Sequence, residues 1–214
     1  MSPRPGLFIA LEGGDGAGKS TQSRLLADAL TDAGHEVVLT REPGGTPAAE
    51  AIRAIVLSPE FAGLDARAEA LLFAAARGEH VHRLIRPALE RGAVVITDRF
   101  VDSSIAYQGV ARGLGVDVIS EINLWATQGL LPDLTVLLDV DASAGLDRAT
   151  DPNRLEDEPE SFHHAVVEAF RQRASADPDH YLVIPASNPV DVIAAQILDR
   201  VLTQLAKAGR DSHG

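Results

Sequence analysis

The chain has 214 residues, 45% of them hydrophobic, which is enough to bury one sizeable core and short for two, so a single domain over 1–214 is expected. The absence of cysteine excludes disulfides and thiolate metal sites and fits a reducing compartment. A formal net charge of -12 repels polyanions, so no nucleic-acid partner is expected and any phosphate site must be local. Met1 to Gly6 leads into an apolar run that Glu12 and glycines interrupt, too short for a signal-peptide core or a membrane span; no membrane association is expected, and the cytoplasm is the expected location. Among the 19 basic residues only Lys19 and Lys207 are lysines, a bias that a GC-rich genome accounts for in large part, although guanidinium also suits bidentate phosphate contacts.

The first element expected is a strand over Leu7 to Leu11. Directly after it, Gly13-Gly14-Asp15-Gly16-Ala17-Gly18-Lys19-Ser20, followed by Thr21, matches G-x-x-x-x-G-K-[ST] and opens a helix over Lys19 to Ala33. Strand before and helix after are the context in which glycines let successive backbone N–H groups turn around a donor β-phosphate. Lys19 would reach the β and γ oxygens, and Ser20 would ligate magnesium. The dinucleotide fingerprint G-x-G-x-x-G does not fit this stretch. Without an Asn-Lys pair anywhere, a guanine reader is not expected.

A second strand, Glu36 to Thr40, ends in Arg41-Glu42-Pro43-Gly44-Gly45-Thr46, either an ordinary surface turn or an arginine-led anion site; a helix over Pro47 to Leu57 carries Arg53. A long helix is expected over Asp65 to Arg91; on it Phe73 and Arg77 lie one turn apart on one face, and taken alone they read as a core residue and a solvated charge. The third strand, Ala93 to Thr97, delivers Asp98 and Arg99, either a plain ion pair or a magnesium-water ligand beside an acceptor group. Then come a helix over Val116 to Gln128, a strand over Leu134 to Val140, an acidic segment with Arg148 and Arg154, a helix over Ser161 to Ala176, a strand over Tyr181 to Pro185, and a helix over Val190 to Ala208. In that last helix Ile193, Ile197, Val201 and Leu205 form one buried stripe.

Continuous apolar strands alternating with helices imply right-handed crossovers: a three-layer α/β fold, with a parallel five-stranded sheet covered by helices on both faces, of the P-loop nucleotide-binding kind. Ligands of such sheets bind beyond the carboxyl ends of the strands, where Glu12, Arg41, Asp98 and Asp139 fall. The phosphate loop names a nucleotide donor and is nearly silent about the reaction, since switches, motors and kinases share it.

Glu12-Gly13 with the phosphate loop, Arg41-Glu42-Pro43-Gly44-Gly45-Thr46 with Ile52-Arg53, Phe73 with Arg77, and Asp98-Arg99-Phe100 with Ser103-Ser104 and Tyr107-Gln108 together resemble the thymidylate kinase family of nucleoside-monophosphate kinases, bacterial type, from about Leu7 to Ala208. The resemblance implies ATP- and magnesium-dependent phosphorylation of dTMP to dTDP in a homodimer. Phe73 would stack on thymine, Arg77, Ser104 and Gln108 would bond its edge, and Tyr107 would pack on the deoxyribose. Asp15 would face the acceptor sugar or a magnesium water, and Arg41, Arg53 and Arg99 would hold the acceptor phosphate. The loop has Gly16 where one subclass has arginine, so the phosphoryl-neutralising arginine falls to a lid at about 147–160, with Arg154 expected on the transferring phosphoryl and Arg148 on the donor. Asn153-Arg154-Leu155-Glu156 departs from the usual Asp-Arg-hydrophobic-Glu ending by its asparagine. An NTP-gated switch would have no use for this acceptor set. A different monophosphate acceptor is harder to separate, since one methyl group is worth about 1–3 kcal/mol.

Overall fold

A computed structural model describes residues 6–143 and 153–211, with side chains through Lys207. Five strands, β1 (Leu7–Glu12), β2 (Val37–Arg41), β3 (Val94–Asp98), β4 (Leu134–Asp139) and β5 (Tyr181–Pro185), form one parallel sheet in the order β2-β3-β1-β4-β5. The inner strands β1, β3 and β4 are buried along nearly their whole length, which is why their sequences read as continuous apolar runs rather than as alternations. Register places Leu11 beside Asp98 and Arg41 beside Asp98, so three chain segments leave the sheet at one edge of it.

Pleating divides β1 between two cores. Leu7, Ile9 and Leu11 pack with Leu26 and Leu30 of α1 (Lys19–Asp32) and with Ile193, Ile197 and Val201 of the C-terminal helix α8 (Val190–Asp211). Phe8 and Ala10 face the other layer with Val81, Ile85, Val95, Phe100 and Ile119, where Phe8 meets Phe100 edge-on at 4.9 Å between centroids. That layer includes α2 (Pro47–Leu57), α3 (Ala66–His80), α4 (Arg86–Glu90), α6 (Val116–Thr127) and α7 (Glu160–Ala176). A third cluster joins Phe73 and Tyr107 to Phe162, Val166 and Phe170 of α7 beside the carboxyl ends of the strands.

Two stretches differ from expectation. The single helix expected over 65–91 is α3, capped by Asp65 through the amides of Arg67 and Ala68, followed by a π-helical turn at Val81–Ile85 and then α4. Pro87 has no N–H for the carbonyl one turn back, and the wider turn just before it absorbs that defect. A helical stretch that the sequence reading does not assign follows Arg99: α5 (Val101–Ser104) and a π-helical turn at Ile105–Ala111. Val101 through Gly109 are all buried, polar residues included, so no amphipathic period marks this stretch.

Candidate active site

The carboxyl ends of β1, β2 and β3 open into a cleft of about 490 Å³. One wall is the phosphate loop. Gly13, Gly16 and Gly18 have φ of 140°, 69° and 90°, and a Cβ on Gly13 would lie 2.4 Å from the Leu138 carbonyl oxygen, so β4 closes against the loop only at glycine. Lys19 Nζ donates to the carbonyls of Gly13 at 3.1 Å and Gly14 at 2.8 Å, and burial together with the Arg99 charge lowers its pKa to about 8. Asp15, Gly16, Gly18, Ser20 and Thr21 line the cleft. Ala17, expected among the phosphate-binding residues, turns its side chain into the core against Leu26 and Val140 and contributes only backbone.

Strand β3 brings Asp98 and Arg99 to the loop. Asp98 Oδ2 accepts from Ser20 Oγ at 2.6 Å, which unites a hydroxyl and a carboxylate oxygen at the mouth. Arg99 donates from Nη2 to Asp15 Oδ1 at 2.5 Å and to Tyr107 Oη at 3.2 Å, and from Nη1 to the Gly13 carbonyl and Ser103 Oγ, both at 3.1 Å. Tyr107 in turn donates to Asp15 Oδ2 at 2.9 Å. Burial opposes ionisation of Asp15, but Arg99 and Lys19 outweigh it and hold the carboxyl below its ordinary range.

The remaining expected residues surround the same space. Arg41 and Arg53 line the cleft from β2 and α2, where Arg41 pairs with Glu50 at 3.1 Å and Arg53 Nη1 donates to the Pro43 carbonyl at 3.0 Å. Phe73, Arg77, Ser104 and Gln108 form the deeper end. Arg77 is 2% exposed and is held by Glu42 Oε2 at 2.6 Å, Ser104 Oγ at 2.8 Å, the Phe100 carbonyl at 2.9 Å and Asn123 Oδ1. Behind Glu42, His80 bridges Glu42 Oε1 at 3.0 Å and Thr40 Oγ1 at 2.8 Å.

The expectation for Arg154 does not match its placement. It is 5% exposed and outside the cleft lining, with Nη2 on Glu69 Oε2 at 2.7 Å and on the Val56 carbonyl at 2.8 Å; Asn153, Leu155 and Glu156 face the cleft around it. A buried guanidinium between a carboxylate and a carbonyl has its charge already balanced. Arg148 lies outside the described residues.

Glu12, Glu42, Glu69, His80 and Asn123 escaped the sequence reading as site residues. One signal was present: Glu69, Phe73, Arg77 and His80 fall on one stripe of α3, and charged residues on a stripe that also carries apolar ones mark a buried polar network rather than a solvated face. Glu12 is fully buried and accepts from the Phe100 amide at 2.8 Å, the Ser103 amide at 3.1 Å and Ser103 Oγ at 2.6 Å. Burial and the neighbouring Asp102 charge raise its pKa from 4.5 to about 7.

A carboxyl with a raised folded-state pKa stabilises the fold fully below its unfolded value, and that contribution is lost as pH rises through the folded value. For Glu12 the loss runs from 4.5 to about 7. Urea unfolding should therefore show stability falling between pH of about 5 and about 7, and Glu12→Gln should flatten that fall; an unchanged slope in the variant would remove Glu12 as its source.

A family model described as thymidylate kinase matches residues 11–197. The thymidylate kinase of Clavibacter sepedonicus is 54% identical over 205 residues, covering 94% of this chain and 97% of its own. That of Geobacillus thermodenitrificans is 46% identical, covering 97% and 95%. The crystal structure of thymidylate kinase from Ehrlichia chaffeensis superposes with a TM-score of 0.77 at 34% identity, covering 92% of this chain and all of that one. Phosphate loop, arginine-lined acceptor cleft, sequence and fold agree: the chain belongs to the thymidylate kinase family.

Proposed function

We propose that the chain transfers the γ-phosphoryl group of ATP to the phosphate of dTMP, breaking the bond between the γ-phosphorus and the β–γ bridging oxygen and forming one to an acceptor phosphate oxygen, to give dTDP and ADP. The observation that carries this reading is Arg99, one guanidinium bonded at once to the donor loop, through Gly13 and Asp15, and to Ser103 and Tyr107 on the acceptor side. Phosphoryl transfer demands little covalent chemistry of the protein; it demands two phosphates in line with their charge compensated.

Each side chain then has a task. The loop amides and Lys19 hold the donor phosphates, and Arg41, Arg53 and Arg99 hold the acceptor phosphate. Phe73 stacks on the base, Arg77, Ser104 and Gln108 meet its edge, and Tyr107, fixed by Asp15 and Arg99, packs against the deoxyribose. Ser20 and Asp98 offer the oxygen donors that suit Mg²⁺, an ion that keeps much of its shell as phosphate oxygen and water. When bound, it would neutralise charge that builds on the donor phosphates. Among the described residues there is no cluster of three or more His, Cys, Asp or Glu, and a magnesium ion held largely by substrate needs none. Arg154 serves to pin its own part of the lid to α2 and α3 through the Val56 carbonyl and Glu69, which leaves the phosphoryl-neutralising role to Arg148.

Among the described residues no helix is long and apolar enough to cross a membrane. The cytoplasm, where ATP is abundant, is the compartment this chemistry fits. Helices α3 and α6 pack together and expose Leu71 at 57%, Leu124 at 41% and Trp125 at 84%, and a homodimer formed over these helices would cover them.

ADP release from purified protein with ATP and magnesium should be fast with dTMP and slow with dCMP, UMP, AMP and GMP. Equal stimulation by AMP or GMP, or ATP loss independent of any acceptor, would contradict the assignment. Trp125→Arg should shift sedimentation from dimer to monomer; a dimer that survives the substitution places the interface elsewhere.

A further inference from the structure

We infer that Glu69 is a positioning residue that fixes which end of the Gln108 amide faces the cleft, and that it thereby selects an acceptor base bearing an imide N–H. The inference rests on the reading that Phe73, Arg77 and Gln108 hold the base.

Glu69 is wholly buried, and its side-chain carboxylate only accepts. Its Oε1 accepts from Gln108 Nε2 at 3.0 Å and from Arg112 Nε at 3.3 Å. Its Oε2 accepts from Arg112 Nη2 at 3.2 Å and from Arg154 Nη2 at 2.7 Å. A primary amide has a donating end and an accepting end, and its hydrogen-bond partners decide which end faces which way. A carboxylate offers no hydrogen, so Gln108 must give Glu69 its NH₂, and the carbonyl end is left for the cleft that Gln108 lines.

The consequence is a two-point code. Arg77 has donors only, and most of them are committed to Glu42, Ser104, Asn123 and Phe100, so whatever it gives the base is an N–H. Gln108, turned by Glu69, gives an acceptor. A carbonyl beside a ring N–H complements that pair, as in thymine and uracil. Cytosine presents an amine and a bare ring nitrogen on the same edge and is mismatched at both points. The Arg77 half of the code needs no help, since a guanidinium rotated in its plane still donates. The Gln108 half would reverse on a half-turn of the amide, and Glu69 prevents that turn.

The test compares kcat/KM for dTMP and dCMP in the native chain, Glu69→Gln and Arg154→Met. In Glu69→Gln the oxygen stays where the Nη2 groups of Arg112 and Arg154 converge. The new NH₂ then falls on the Gln108 side, and Gln108 turns its own NH₂ to the cleft. The dTMP-to-dCMP ratio should fall by about tenfold or more, while KM for ATP stays within about twofold. Arg154→Met alone should leave the ratio unchanged. A ratio that holds in Glu69→Gln while both activities fall together overturns the inference, and so does an equal ratio change in Arg154→Met. If Glu69→Gln does not fold, the measurement on the native protein carries the test. Independently of any variant, nuclear Overhauser contacts of the Gln108 side-chain NH₂ in the native protein should run to α3 and Arg112. Contacts that run into the cleft instead would overturn the inference. A native chain that ignores dTMP would refute the proposed reaction, a failure separable from both.

Discussion

The structure turns on the pairing of Arg99 with Asp15. Arg99 occupies the position after β3 with φ of 71°, a left-handed backbone that costs a residue with a Cβ on the order of 1 kcal/mol. Its amide donates to the Leu11 carbonyl at 2.9 Å and its carbonyl accepts from Thr97 Oγ1 at 3.0 Å, so the strand end is clamped in that conformation. The turn sends the guanidinium back across β1 to Asp15 and Gly13 rather than out along β3. Relaxing it would separate the donor loop from the acceptor wall. Burial opposes the charge on Arg99, yet Tyr107, Asp15 and Asp98 outweigh that and hold its pKa above the ordinary arginine range, so the clamp keeps its charge at any working pH.

A protein with a formal net charge of -12 can hold the phosphates of a nucleoside triphosphate and a nucleoside monophosphate because its positive charge is local. Lys19, Arg41, Arg53, Arg77 and Arg99 converge on one cleft. Their mutual repulsion is offset by carboxylates placed just behind them: Glu42 under Arg77, Asp15 beside Arg99 and Glu50 beside Arg41. Such pairs contribute little net stability: desolvation consumes most of the attraction in the two inner pairs, and solvent screens the exposed Arg41–Glu50 pair. What they supply is orientation, and orientation fixed before the ligand arrives is the larger part of electrostatic catalysis. Glu69 behind Gln108 follows the same arrangement with an amide in place of a charge.

Much of the framework could be read from the chain alone, for physical reasons that also explain where reading stopped. The inner strands are buried on both faces, so their apolar runs announce a covered parallel sheet, and glycines that must turn at positive φ against Leu138 announce the phosphate loop. The α5 stretch after Arg99 stayed hidden because its polar residues are satisfied inside, by Glu12 and by Asp102 with Arg173 and Tyr181, and leave no solvent-facing period to see. Arg154 misled for a related reason. In an acidic segment it looks like the free cation, and only the fold shows that Glu69, eighty-five positions earlier, already neutralises it. Sequence patterns report which face of an element meets water; they do not report which buried charges meet each other across elements.

The central claim, that Arg99 joins donor and acceptor phosphates in one frame, is tested most directly by a crystal structure of the chain with dTMP, magnesium and a non-hydrolysable ATP analogue. The account expects the β-phosphate inside the loop from Gly13 to Ser20 and the acceptor phosphate in hydrogen-bond contact with Arg99, with the Arg99–Asp15 pair intact. An acceptor phosphate bound away from Arg99, or a complex in which that pair has opened, would contradict it.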